Sequence, residues 1–464
     1  MKVGFVTLGC DKNTVDSERY LAHLAGYGGE YTDDLRVADV IIVNTCGFID
    51  AAKKESIDAL VEAGQYKTDG VCQTVVAVGC MVERHKGELA EALPEVDLFL
   101  GASETDTLVE ALAQRGLLDQ DPLLQHPGTR LYTGGTPHIR YLKISEGCDH
   151  GCAFCAIPLM RGKHRSFALD DVVREAQLLE LQGAREINLV AQDLAHYGRD
   201  LREATVRLPQ LLEALVRETS IPWIRMMYLY SAGITPQLLE IVARESRILP
   251  YLDMPMQHAS DAVLERMRRP ERQRTIREKV ARFREAVPDV AIRTTCIVGF
   301  PGETEEDFHQ LLNFLEEVQF ERVGVFPYSP QEGTRAAQLT DDVPEAVKRD
   351  RVEQLTELQR AITAERYEIR LGRTWTAMVD ALDEETGGSI ARLPWQADDI
   401  DGVTALDEPL QPGTLVDVAA QAVVDDYDFQ ASVIRVVEPP PRSASTDERR
   451  PLPLLSTTIG SFGR

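Results

Sequence analysis

Three cysteines stand within one short stretch: Cys148-Asp149-His150-Gly151-Cys152-Ala153-Phe154-Cys155, a C-x3-C-x2-C spacing. Thiolates are the usual ligands of iron–sulfur clusters. Three of them this close can hold three irons of a 4Fe–4S cube and leave the fourth iron open to a small molecule. A structural zinc site is the alternative. Such a site takes four protein ligands, and the fourth would have to be His150, His164 or a remote residue.

A second set is spread out. Cys10, Cys46 and Cys80 each come just after a separate strand-like run. In a parallel sheet, neighbouring strand ends lie about 5 Å apart. Their following loops line the crevice where such sheets bind ligands. Three cysteines at equivalent strand ends can therefore converge on one site. The bland alternative for any single one is a small buried hydrophobe. Cys72 precedes its strand and Cys296 lies inside the apolar run 294–298, so both read as core.

The elements that must position these groups alternate in type. Residues 3–8, 40–44 and 75–78 read as strands, each followed by a helical stretch, which predicts a parallel sheet with packed helices. Residues 121–138 are rich in Pro and Gly and read as a linker. Six further strand candidates follow, near Tyr141, Glu186, Ile224, Leu252, Ala291 and Arg322. Helical segments separate them, which predicts a partial (βα)6 barrel. The C-x3-C-x2-C motif follows the first of these strands, at the carboxyl end where barrel active sites form. Thr304 is placed to cap a helix whose Phe308, Leu311, Leu312, Leu315 and Val318 share one face. A charged helix over 344–370 leads to short strands at 375–379, 414–418 and 431–437, which predict a small all-β barrel.

The predicted organisation is therefore residues 1–125 as an α/β sheet domain, 135–370 as the partial barrel, 371–437 as the β-barrel, and 438–464 as a disordered tail. The chain has 464 residues, 44% of them hydrophobic, and a formal net charge of −25. It carries no apolar run of membrane-spanning length and no signal-peptide pattern, so a cytoplasmic protein is expected. In that reducing compartment, patterned cysteines point to metal or redox chemistry more than to disulfides. Residues 371–436 hold thirteen Asp or Glu against Arg373, Arg392, Arg435 and no Lys. An RNA-binding domain needs a basic face. This one suits a basic partner, unless it is simply a solvated acidic surface.

Taken together, the chain resembles the methylthiotransferase family of radical S-adenosylmethionine enzymes. Cys148-x3-Cys152-x2-Cys155 matches the superfamily motif. Thr7-Leu8-Gly9-Cys10, Val43-Asn44-Thr45-Cys46 and Val78-Gly79-Cys80 match the family's amino-terminal half. Three stretches resemble the branch that modifies an aspartate of small-subunit ribosomal protein twelve, as opposed to the branch acting on adenosine in transfer RNA. They are the run from Cys10-Asp11-Lys12-Asn13 to Glu18, the run from Asp253 to Ser260, and Met267-Arg268-Arg269-Pro270. Asp11 departs from that branch, which usually has proline there, and the tail after Glu438 is not predicted by it.

The resemblance implies a central radical-type barrel and a TRAM-like terminal barrel. It implies two 4Fe–4S clusters, one on Cys10, Cys46 and Cys80, the other on Cys148, Cys152 and Cys155. The second would bind S-adenosylmethionine and yield a 5′-deoxyadenosyl radical, which takes a hydrogen from the aspartate β-carbon. The first would supply sulfur, and a second S-adenosylmethionine the methyl group. An electron donor of flavodoxin or ferredoxin type is implied as partner. Gln192, Asp193 and Gly299 follow barrel strands and are candidates to hold S-adenosylmethionine; the loop at Gly299 is otherwise an ordinary turn. His258 reads as a proton carrier or a structural histidine, and Phe154 as a shield or a packing residue. A non-catalytic iron–sulfur or zinc protein is the reading from another class.

Overall fold

A computed structural model describes residues 1–102, 104–119, 130, 136–203 and 205–440. Most of the expected linker and all of the tail beyond Pro440 lie outside the described residues. No described helix is long and apolar enough to cross a membrane.

The amino-terminal part is a five-stranded parallel sheet. Its strands are β1 (Lys2–Thr7), β2 (Glu30–Thr32), β3 (Val40–Thr45), β4 (Thr74–Gly79) and β5 (Leu98–Leu100), in the order β2-β1-β3-β4-β5. Helices α1 (Asp11–Ala25), α2 (Asp50–Asp69), α3 (Cys80–Ala92) and α4 (Thr105–Gln114) follow strands in turn. Every residue of β3 and β4 is buried. That is why they read as unbroken apolar runs: helices cover both faces of such a sheet. The three strands that lead to cysteines, β1, β3 and β4, are neighbours.

The middle of the chain is an arc of parallel strands. It comprises β6 (Ile139–Lys143), then, after the small hairpin β7 (Ser145–Glu146) and β8 (Arg165–Ser166), β9 (Glu186–Val190), β10 (Trp223–Met226), β11 (Tyr251–Asp253), β12 (Ala291–Val298) and β13 (Arg322–Pro327). Backbone hydrogen bonds join the strands in the orders β10-β9-β6 and β11-β12-β13, and a parallel bridge from Ile224 to Ile248 links the two groups. The six main strands thus run in sequence order, as a partial barrel requires. Between them come α5 (Ile157–Arg161), α6 (Leu169–Leu181), α7 (Leu208–Glu218), α8 (Pro236–Arg244), α9 (Asp261–Arg266), α10 (Gln273–Ala286) and α11 (Glu305–Val318), and α12 (Glu345–Glu368) follows the last. At α11, Thr304 accepts from the Asp307 N–H at 3.1 Å while the Thr304 N–H donates to Asp307 at 3.0 Å, a reciprocal cap.

The carboxyl-terminal part is a closed barrel of β14 (Thr374–Leu382), β15 (Ser389–Arg392), β16 (Thr404–Leu406), β17 (Leu415–Val424) and β18 (Asp428–Glu438). Its core shares one apolar cluster with the arc: Trp395, Phe429 and Met378 pack with Trp223, Met227 and Tyr251. A buried ion network seals the joint. Glu186 at the start of β9 accepts from Arg225 at 2.7 Å and from Arg392 of the terminal barrel at 2.6 Å. Burial alone would raise the Glu186 carboxyl; the two guanidiniums, Arg392 first, bring it down to about 2.

Candidate active site

Cys46 follows β3 directly, Cys80 opens α3 directly after β4, and Cys10 stands just before α1. Two asparagines stitch these ends together. Asn13 donates to Leu8 O at 2.7 Å and to Thr45 O at 3.3 Å. Asn44 donates to Asn13 O and to Ser17, both at 3.0 Å. Two glycines let the loops close. Gly79 sits at φ +100°, and a Cβ there would lie 2.4 Å from Asn44 Oδ1 and 2.7 Å from Thr45 O. A Cβ on Gly9, at φ +91°, would lie 2.9 Å from Cys46 Sγ. The structure therefore brings the three cysteines, distant in sequence, to one place, close enough for Cys10 to act electrostatically on both others.

The other triplet is held by its own loop and by the barrel. Cys148 N–H donates to Gly162 O at 3.1 Å, Ala153 N–H to Met267 O at 2.9 Å, and Ala336 N–H to Ala153 O at 2.8 Å. Phe154 is partly buried against the cluster of Ala153, Met267, Phe300 and Tyr328. The histidines inside and after the motif are engaged elsewhere. His150 bonds to Asp193 at 2.8 Å and stacks on Tyr230 at 3.9 Å between ring centroids. His164 bonds to Ser166 at 3.0 Å.

All eight cysteines are free thiols. Burial first, with a smaller push from neighbouring cysteines, takes Cys80 and Cys148 up to about 11 and Cys155 to about 12. Crowded thiols of this kind give up their protons when a cation takes the protons' place. The donor sets therefore fit iron clusters held by three thiolates each. An arginine reaches one sulfur in each set. Arg161, on the helix after Cys155, donates to Cys80 Sγ at 3.0 Å and to Asn13 and Asp16, both at 2.5 Å. Arg269 reaches Cys152 Sγ at 3.6 Å. Sequence reasoning misses both arginines as partners of sulfur. Their roles depend on contacts across 81 and 117 positions, which spacing does not display.

The three other candidates separate. Gln192 donates to Glu146 at 2.9 Å, while its buried Oε1 has no partner among the described residues. The buried Oε1 of Gln257 is likewise unpaired among them. Such acceptors fit a polar cofactor at the carboxyl end of the strands. Asp193 is already engaged. It is 4% exposed and takes bonds from His150, Ala195 N–H and Tyr230 N–H. Burial would raise its carboxyl, but these donors and His196 hold it well below the usual range. Gly299, at φ +73°, packs against Lys348, whose Cγ would lie 2.3 Å from a Cβ. His258 is fully buried; its Nδ1 accepts from Ser260 N–H at 2.9 Å.

Residues 2–101 match Uncharacterized protein family UPF0004, and residues 142–315 match the Radical SAM superfamily. A ribosomal protein uS12 methylthiotransferase RimO of Anaeromyxobacter sp. (strain Fw109-5) is 46% identical, covering 96% of this chain and 94% of that protein. The protein of the same description from Geobacter sulfurreducens is 42% identical, covering 93% and 98%. Among solved structures, the radical S-adenosylmethionine methyltransferase TsrM from Kitasatospora setae shares the fold, with a TM-score of 0.52 and 14% identity over 70% of this chain and 74% of that one.

Proposed function

This chain belongs to the ribosomal protein uS12 methylthiotransferase family of radical S-adenosylmethionine enzymes, and we propose that it transfers a methylthio group to the β-carbon of an aspartate of uS12. The observation that carries the reading is Arg161. One buried guanidinium runs from the helix after Cys155 to the sulfur of Cys80, which supports a reading in which the two cysteine triplets serve one reaction.

In this reading Cys10, Cys46 and Cys80 hold one iron–sulfur cluster, and Cys148, Cys152 and Cys155 hold the other. Together with S-adenosylmethionine, these groups supply the electron, the hydrogen-abstracting radical, the sulfur and the methyl group. The chain's own residues bind and orient. Arg161 and Arg269 place positive charge and N–H donors on thiolate sulfurs, which favours the thiolate form. Gln192 and Gln257 offer free acceptors to the amino group of S-adenosylmethionine. Asp193 holds His150, and through it the Cys148–Cys155 loop, in one position. The terminal barrel, with thirteen acidic residues, repels nucleic acid and suits a basic ribosomal protein. The working compartment is the cytoplasm, with electrons from a flavodoxin- or ferredoxin-type donor.

The test is anaerobic. The reconstituted enzyme is incubated with S-adenosylmethionine, a reductant, and either uS12 or transfer RNA, and mass spectrometry follows the substrate. Gain of one methylthio group on a uS12 aspartate is expected. Gain on the RNA alone would keep the radical chemistry and overturn the substrate.

A further inference from the structure

Lys12 lies in the first turn of α1, just past Cys10, and is 8% exposed. Among the described residues its ammonium makes no hydrogen bond and no ion pair; it rests 3.6 Å from the centroid of the Tyr228 ring. The other buried lysines are matched: Lys143 pairs with Asp16 and Glu146, and Lys348 with Asp341 and Glu345. Burying an ammonium without an anion costs more than an aromatic face returns.

The ring under it is itself held in a costly conformation. Tyr228 has φ +63°, a left-handed backbone that a tyrosine seldom adopts. It is fixed there because its N–H donates to buried Asp253 at 3.1 Å and its carbonyl accepts from Leu194 N–H at 3.1 Å. Strain of this kind collects at ligand clamps. Tyr228 lies just past β10, beside the loop of Gln192 and Asp193. The ammonium thus stands between the first cysteine triplet and the carboxyl end of the barrel strands. The nearest acid in sequence, Asp11, is close enough to act electrostatically on the ammonium but forms no ion pair with it, and lines a cavity of about 350 Å³ with Cys10, Tyr141, Asp398 and Asp399.

Resting on the function proposed above, we infer that Lys12 is the residue that recognises the substrate aspartate, by pairing with its carboxylate. The β-carbon is bonded directly to the carboxylate carbon, at about 1.5 Å. Holding the carboxylate therefore holds the reacting carbon beside the first triplet. A substrate without an anionic group at this position, such as an amide or a nucleobase, leaves the ammonium buried and unpaired, which disfavours it.

A double-mutant cycle tests this. Purified uS12 and a version with the target Asp→Asn are each titrated against the reconstituted wild type and the Lys12→Met enzyme, reading affinity by anisotropy of labelled uS12. In the wild type the Asn substrate should bind about tenfold more weakly, the loss expected when a buried charge is left without its partner. In Lys12→Met both substrates should bind equally and weakly, with iron content unchanged and a melting temperature no lower than that of the wild type. If Lys12→Met keeps the full discrimination between Asp and Asn, the assignment is wrong. It is also wrong if the variant's only defect is loss of iron from the first triplet, since Lys12 would then serve as counter-charge to that cluster. Wild-type enzyme that leaves uS12 unmodified in the companion assay would instead overturn the functional reading itself.

Discussion

The two cysteine triplets reach the same kind of arrangement by opposite routes. Cys148, Cys152 and Cys155 come from one loop, pinned by backbone bonds to Gly162, Met267 and Ala336. Cys10, Cys46 and Cys80 come from the ends of three adjacent strands and meet only because the sheet has formed. The first is a local device and the second a product of tertiary structure. A local site tolerates change in its surroundings. A site assembled from strand ends inherits every defect of the sheet.

The sharpest way to break this comparison is to remove one ligand from each triplet. Cys152→Ala should abolish S-adenosylmethionine cleavage. Cys46→Ala should retain cleavage and lose methylthio transfer to uS12. Chromatography of the cleaved nucleoside and mass spectrometry of uS12 read the two apart. If both variants lose cleavage alike, the triplets do not divide the work.

A smaller effect is expected from glycines. Gly79 is at φ +100° with atoms of Asn44 and Thr45 against it, whereas Gly151, inside the local motif, has open space of 4 Å around the place a methyl would take. Gly79→Ala should cost about 2 kcal/mol or more and reduce iron bound by the amino-terminal triplet. Gly151→Ala should leave both stability and iron content near wild type. Denaturant melts and iron analysis check it; equal losses would mean that the strand-end site is no more fragile than the loop.

The smallest effect concerns the terminal barrel. Burial pushes the Asp398 carboxyl up to about 6; Arg392 opposes this, and Asp399 and Asp380 add to it. Its pKa in the fold is above the ordinary value, so the fold prefers the protonated acid. Stability contributed by that proton is present below about pH 4 and is lost as pH rises through about 6. Asp398→Asn should therefore be neutral at about pH 4 and stabilising by about 1 kcal/mol at about pH 7. Melting curves of both proteins across that range should separate only on the alkaline side.

Much of the architecture is legible in the sequence, for physical reasons that differ by region. The six arc strands near Tyr141, Glu186, Ile224, Leu252, Ala291 and Arg322 announce themselves through runs of strand-forming residues, and the Thr304 cap is a contact between residues three apart. Both are local signals. Short β2, β5, β15 and β16 escape such a reading, since three or four residues carry too little periodicity. Helix α1 starts at Asp11, with Cys10 at its N-cap. The cysteines stand out by type. Arg161, Arg269 and Lys12 do not, because a cation's meaning lies in the sulfur, carboxylate or ring that it meets across the fold.

The pairing of Glu186 with Arg392 has a consequence for anyone who would change the enzyme's target by exchanging its terminal barrel. That carboxylate is fully buried at the foot of β9, and one of its two counter-charges arrives with the exchanged piece. A graft without an arginine at that place would leave this buried anion with Arg225 as its one remaining counter-charge, and removing a partner from a buried ion network is destabilising. The terminal module and the catalytic core are therefore not interchangeable parts: inheritance or engineering must alter residue 186 and its partner together.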